Sequence, residues 1–180
     1  MAGSITTGHG DAGETGLLYG GRVRKDDLHI EAFGALDEAV SALGLARALL
    51  GDAALRTRIE DLQRQLFTVG AELATLSGQR DKLERHFPTV TAALVEGMEA
   101  EIHALEERFP VTSFIIPGGT PAAAALDVAR TVVRRTERAA VALHAAGGLD
   151  NVEVLRYLNR CSDLVFMLAR QAEEGATTAK

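Results

Sequence analysis

Residues 52–77 read DAALRTRIEDLQRQLFTVGAELATLS, and the apolar positions Leu55, Ile59, Leu62, Leu66, Val69, Leu73 and Leu76 recur at alternating steps of four and three. Those steps draw one narrow stripe along an α-helix, the seam of a helix packed nearly antiparallel in a bundle. Toward the N-terminus, Phe33, Leu36, Val40, Leu43 and Leu50 predict a helix over about 30–50, closed by Gly51. Beyond a charged connection from Ser77 to Pro88, Leu94, Met98, Ile102 and Leu105 predict a third helix over about 89–108, which Pro110 ends. Thr120 as N-cap with Pro121 at the first helical position opens a fourth, running to about 146, where Gly147 and Gly148 stop it. Asp150 or Asn151 caps a last helix over about 151–173, with Leu155, Leu158, Val165 and Leu168 facing inward. No strand pattern is long enough to build a sheet. The expectation is an all-α protein, a five-helix bundle over 30–174, preceded by a glycine-rich segment over 1–29 and followed by a frayed tail at 175–180.

Length and charge narrow the class. A chain of 180 residues makes one well-buried domain, hiding roughly 70% of its unfolded surface. The net charge of −6 argues against a nucleic-acid binder. A single cysteine, Cys161, excludes an internal disulfide framework and a cysteine-based zinc site; its apolar neighbours make it a buried residue without chemistry. No apolar run approaches the ~20 residues of a membrane span, and the opening MAGSITTGHG lacks the pattern of a signal peptide, so a soluble protein of the reducing cytoplasm is expected. His29, His86, His103 and His144 are read as surface residues without metal-ligand spacing.

Positive charge is nonetheless concentrated in ARTVVRRTER, residues 129–138. Arg130, Arg134 and Glu137 share one helical stripe, flanked by Arg135 and Arg138. An unpaired arginine is costly to desolvate, so the stripe is either a solvated face or a pocket that a polyanion completes. The start, TTGHGDAGETGLLYGG at residues 6–21, offers backbone N–H groups for phosphate oxygens, with threonine hydroxyls and Asp11 for hydrogen bonds or a hydrated metal. It lacks the GxxxxGK[ST] pattern, and a flexible tail accommodates it as well as a phosphate-cradling loop does. Asp37 and Ser41 lie on a polar edge of the first helix, either solvated or, for Asp37, paired with an arginine of the fourth. Arg156, Asn159, Asp163, Phe166 and Arg170 fall on a polar-biased stripe of the last helix. Phe114, in the loop SFIIPGGT, either fills the end of the core or is kept free for a functional role, and its position does not choose between them.

Four segments in order, GDAGETGLLYGGRVRKDD, EAFGALDEAVSALG, FIIPGG with ARTVVRRTER, and LRYLNRCSDLVFMLAR, together resemble the PduO-type ATP:cob(I)alamin adenosyltransferases across nearly the whole chain. The resemblance implies a homotrimer with ATP, Mg²⁺ and cobalamin between subunits, and transfer of the 5′-deoxyadenosyl group of ATP to cob(I)alamin, leaving triphosphate. On it, Thr7, Gly8, Gly10, Asp11, Gly13, Thr15 and Lys25 belong to the loop over the triphosphate, Arg130 and Arg134 hold ATP, Glu137 lies beside the nucleotide or its metal, and Asn159 falls in the nucleotide region. Asp37 would pair with Arg130 across the interface, and Phe114 would wall off the lower face of cobalt. A reductase and a downstream mutase would be partners. The chain departs from the family pattern at His9 (usually Thr), Ala12 (often Lys or acidic), His29 (usually Arg) and Asp127 (often His), and the missing cations at 12 and 29 predict weaker triphosphate binding. A non-catalytic carrier of nucleotide or corrinoid is the alternative, and a purely structural bundle is the third reading.

Overall fold

A computed structural model describes residues 6–178, with side chains through Glu174. A small antiparallel hairpin, β1 (Glu14–Gly16) and β2 (Arg22–Arg24), precedes six helices: α1 (Leu28–Leu49), α2 (Ala53–Leu73), α3 (Arg80–His86), α4 (Ala92–Arg108), α5 (Pro121–Ala145) and α6 (Glu153–Thr178). The hairpin corrects the expectation of no strands, and among the described residues α3 makes six helices of the expected five. Each β-strand has only three residues, too few for an alternating pattern to register. α3 was hidden for a similar reason: it buries one side chain, Leu83, and leans on an Arg80–Glu84 ion pair one turn apart. α6 runs to Thr178, past its expected end and into the stretch expected as a tail.

The helix starts follow from local chemistry. Asp27, Asp52, Thr91 and Thr120 each take extended backbone and accept a hydrogen bond from a backbone N–H of the first turn, which satisfies one of the donors a helix start leaves unpaired. Asn151 does the same for Glu153 N at 3.2 Å. The α2 stripe from Leu55 to Leu73 is buried throughout, and Leu76 lies beyond the helix end. On α1 the inner face is not the expected one. Ala32, Ala35, Leu36, Ala39, Leu43 and Ala46 are buried, whereas Phe33 is 44% exposed. α1 packs most extensively on α5, and α5 on α6; α2 covers the other side of α1 and α4 that of α6. Among the described residues, no helix is long and apolar enough to cross a membrane.

Two polar contacts pin the packing. His29, expected at the surface, is buried, with Nδ1 2.7 Å from Leu73 O at the end of α2. Glu72 is also buried and accepts from Val90 N at 2.6 Å and from Asn151 Nδ2 at 2.8 Å, tying α2 to the α3–α4 connection and to the start of α6. Burial pushes the Glu72 carboxyl above its usual range despite those donors. The folded protein therefore holds this proton to higher pH than the unfolded chain does. Its contribution is fully present below the unfolded value near 4.5 and is lost as pH rises through the folded value. Glu72→Ala leaves Val90 N without its acceptor and Asn151 Nδ2 with Val90 O alone, and should cost about 2–3 kcal/mol in urea unfolding. Glu72→Gln should flatten the fall in stability that the wild-type protein shows as pH rises above that point.

Candidate functional site

The arginine stripe opens onto a cavity of about 770 Å³ between α4, α5 and α6, lined on its polar side by Arg130, Arg134, Arg160, Glu99, Glu106 and Asp163. The inward face of α5 is Ala129, Val133, Thr136 and Ala140, and Thr136 Oγ1 donates to Ala35 O of α1 at 2.8 Å. With that face fixed, residues one position later on the helix turn toward α6 and the cavity. Arg130 and Arg134 are brought together there as the spacing predicts.

The lining arginines are not equivalent. Arg160 donates to Glu99 at 2.8 Å and to Asp163 at 3.2 Å, and it holds the Glu99 carboxyl below its usual range. Its charge is spent within the protein. Arg130 is mostly buried, with Nε 3.5 Å from Asp127 Oδ1 and Cζ 5.9 Å from the Phe166 ring centre. Arg134 is exposed, with no ion pair or side-chain hydrogen bond among the described residues. Arg135 pairs with Glu38 of α1, and Arg138 turns back to Arg134 O. Three arginines and three carboxylates balance formally around the cavity, yet the guanidinium left uncommitted is Arg134. Glu137 accepts from Asn159 Nδ2 at 3.0 Å, and Asn159 Oδ1 accepts from Arg160, so these two predicted residues brace one another; neither lines the cavity, and they reach it only through Arg160.

The other predicted residues lie elsewhere. Thr15, Lys25 and Asp37 line a second cavity of about 760 Å³, between the hairpin, α1 and α2, whose walls are largely apolar and include Phe33, Phe67 and Phe87. The two cavities share no lining residue, and no ion pair or hydrogen bond joins Asp37 to Arg130 among the described residues. Thr7, Gly8, Asp11 and Gly13 are exposed in the loop before β1, which is held by Asp11 N to Gly8 O at 3.2 Å and Lys25 N to Gly13 O at 2.9 Å. A side chain at Gly10 would come within 3.0 Å of Lys25 Nζ, so the glycine leaves room for that ammonium beside the loop. The segment is thus a structured hairpin rather than a tail. His29, turned into the core, does not face it. Among the described residues, no three His, Cys, Asp or Glu side chains converge as a metal site.

Phe114 does not fill the core; it projects fully into solvent. Its loop docks through Gly119, where a Cβ would meet Glu173 Oε1 at 2.7 Å. Arg170, read on a polar stripe, is buried and paired with Asp127. Sequence reasoning missed that pair, although an acid inside the apolar run AAAALDVA is a signal for a buried partner. Cys161 is buried as expected, and burial pushes its thiol up to about 12.

The protein is a helical bundle with an arginine-lined cavity on one face and a glycine-turn hairpin over an aromatic groove on another. The chain belongs to the cobalamin adenosyltransferase family, whose model matches residues 5–172. It is 40% identical over 177 residues to the corrinoid adenosyltransferase PduO of Salmonella typhimurium, covering 98% of this chain and about half, 52%, of that protein. It is 38% identical to the corrinoid adenosyltransferase of Citrobacter freundii, covering 94% of each. A phenylalanine-to-histidine variant of the PduO-type ATP:corrinoid adenosyltransferase from Lactobacillus reuteri, complexed with cobalamin and ATP, superposes with a TM-score of 0.87 at 34% identity, over 97% of this chain and 93% of that one.

Arg134→Ala removes an exposed side chain without a partner, so its unfolding free energy should stay within about 0.5 kcal/mol of wild type. Cys161 should resist thiol reagents at neutral pH until the chain is denatured, because the folded protein presents no thiolate; rapid modification of native protein would contradict its burial.

Proposed function

We propose that the protein is a corrinoid adenosyltransferase, transferring the 5′-deoxyadenosyl group of ATP to cob(I)alamin. The observation that carries this reading is the pair Arg130 and Arg134 in one cavity of a chain whose family and relatives bear that activity in their names. In the reaction the Co(I) electron pair forms a Co–C bond at C5′ as the C5′–O bond breaks; its electrons leave with triphosphate, and cobalt becomes formally Co(III). The protein's work is positional and electrostatic. Arg134, uncommitted, and Arg130, held by Asp127, would take the phosphates, while Lys25 and the N–H groups of residues 7–15 would close over them. Asn159 and Glu137 would border the nucleotide. Mg²⁺ would be carried by the phosphates, for no convergent acidic cluster is available among the described residues.

Phe114, fully exposed, would stand under the corrin and exclude water and the lower axial base, favouring the four-coordinate cobalt that is easier to reduce. The separation of Asp37 and Lys25 from Arg130 and Arg134 supports a homotrimer in which each site is completed by a neighbour, with Asp37 meeting Arg130 across the interface. A reductase supplying Co(I) and a mutase consuming the product are the partners this chemistry requires, and a free, buried Cys161 fits a reducing cytoplasm.

Protein, ATP, Mg²⁺ and strongly reduced cobalamin should yield a light-sensitive adenosyl product with release of triphosphate; no product under those conditions would reject the reading. Arg134→Ala should lower kcat/KM by about 100-fold with helicity intact. Phe114→Ala should still bind ATP but lose the absorbance signature of four-coordinate Co(II). Mixing the impaired Asp37→Ala and Arg134→Ala chains during refolding should raise activity above that of either alone, since some interfaces would then be wild type on both sides.

A further inference from the structure

Asp127 lies on the buried face of α5, and its carboxylate is shared. Oδ2 accepts from Arg170 Nη2 at 2.5 Å, both side chains being 5% exposed. Oδ1 stands 3.5 Å from Arg130 Nε, close enough for attraction but without a hydrogen bond. Both guanidiniums also lie over one aromatic ring, with Cζ 5.1 Å from the Phe166 centre for Arg170 and 5.9 Å for Arg130. Arg170 Nη1 reaches Glu173 Oε2 at 3.4 Å. The strong hydrogen bond therefore belongs to Arg170, and Arg130 feels the same carboxylate more weakly.

We propose that Asp127 and Arg170 are positioning residues for Arg130, fixing the direction of its guanidinium into the cavity and so setting nucleotide affinity. The inference rests on the reading of Arg130 as a nucleotide ligand. The division of labour follows from electrostatics. If Arg170 did not hold Asp127, the buried carboxylate would draw Arg130 into a full ion pair and away from a ligand. If Asp127 carried no charge, two guanidiniums on one ring would repel each other with nothing between them. Sharing the carboxylate unequally orients Arg130 while leaving its terminal nitrogens available for phosphate oxygens.

Asp127→Asn separates these roles, because the amide oxygen still accepts from Arg170 while the amide nitrogen opposes Arg130 Nε. ATP titrations by calorimetry on wild type, Asp127→Asn, Arg130→Ala and the double variant form a cycle. The expected result is a rise of about tenfold in the ATP dissociation constant for Asp127→Asn in the wild-type background, and less than about twofold in the Arg130→Ala background. Equal rises in both backgrounds, or none in either, would overturn the proposal while leaving the enzyme reading intact. A wild-type protein that does not bind ATP would instead sink that reading and this inference with it. Should Asp127→Asn not fold, Arg170→Lys, which keeps the charge and loses the flat fork, goes through the same cycle with the same outcomes. If neither variant folds, the pair is structural and the positioning role is rejected.

Discussion

The close approach of α1 and α5 is the constraint on which the site depends. Ala32, Ala35, Ala39 and Ala46 on one helix, and Ala123, Ala129 and Ala140 on the other, are all buried. Side chains this small let the backbones come near, and the Thr136 hydroxyl then reaches the Ala35 carbonyl across the contact. Such a seam tolerates little rotation. Turning α5 by one residue would carry Arg130 or Arg134 toward the alanine face of α1, where a guanidinium finds neither room nor a carboxylate. The alanines thus do for the arginines what a binding pocket does for a ligand: they leave one orientation without a steric or desolvation cost.

Within that frame, the protein distributes its carboxylates so that most arginines are answered internally. Arg58 takes Glu101, Arg160 takes Glu99 and Asp163, Arg135 takes Glu38, and Arg170 takes Asp127. The exposed ones among these, such as Arg135 with Glu38, add little stability, whereas Arg170 and Asp127 are buried. Around the cavity, pairing of Arg160 with Glu99 and Asp163 leaves Arg134 as a lining guanidinium without an ion pair among the described residues. An acidic chain can hold a polyanion in this way, because attraction is confined to a few ångströms and screened beyond them.

Much of this was legible in the sequence, and the failures have physical reasons. The α2 seam, the Thr120–Pro121 start of α5 and the Arg130/Arg134 stripe rest on spacing and capping, which are properties of the local chain, and the structure bears them out. Phe33 misled because hydropathy cannot tell a core residue from one lining an apolar groove; alanines, weak in any hydropathy pattern, make the true inner face of α1. His29 looked like a surface residue because its partner, the Leu73 carbonyl, lies 44 positions away. Phe114's apolar neighbours left core and solvent both open, and only the packed structure, with its loop close to α6 at Gly119, shows the ring in solvent. Asp127 carries a local signal, an acid in an apolar run, but its partner Arg170 has none, since the pairing exists only after α5 and α6 pack.

The separation of the two cavities carries the last step. On the proposed reading, the hairpin with Lys25 and Asp37 and the stripe with Arg130 and Arg134 must meet on one ligand, yet they line different hollows of the same chain. A chain cannot fold back to join them, because α1 and α5, which carry them, are locked together at the alanine seam. Two copies related by a two-fold axis would meet through one self-complementary patch, which suits a single face rather than two distinct ones. Contact of one face with the other face of the next copy is heterologous, and such contacts end only when the ring closes. Exposed Phe67 and Phe87 at the rim of the second cavity, awkward for an isolated chain, would then become the apolar part of the junction, and Arg134, which has no ion pair among the described residues, would find its partner in the ligand held there.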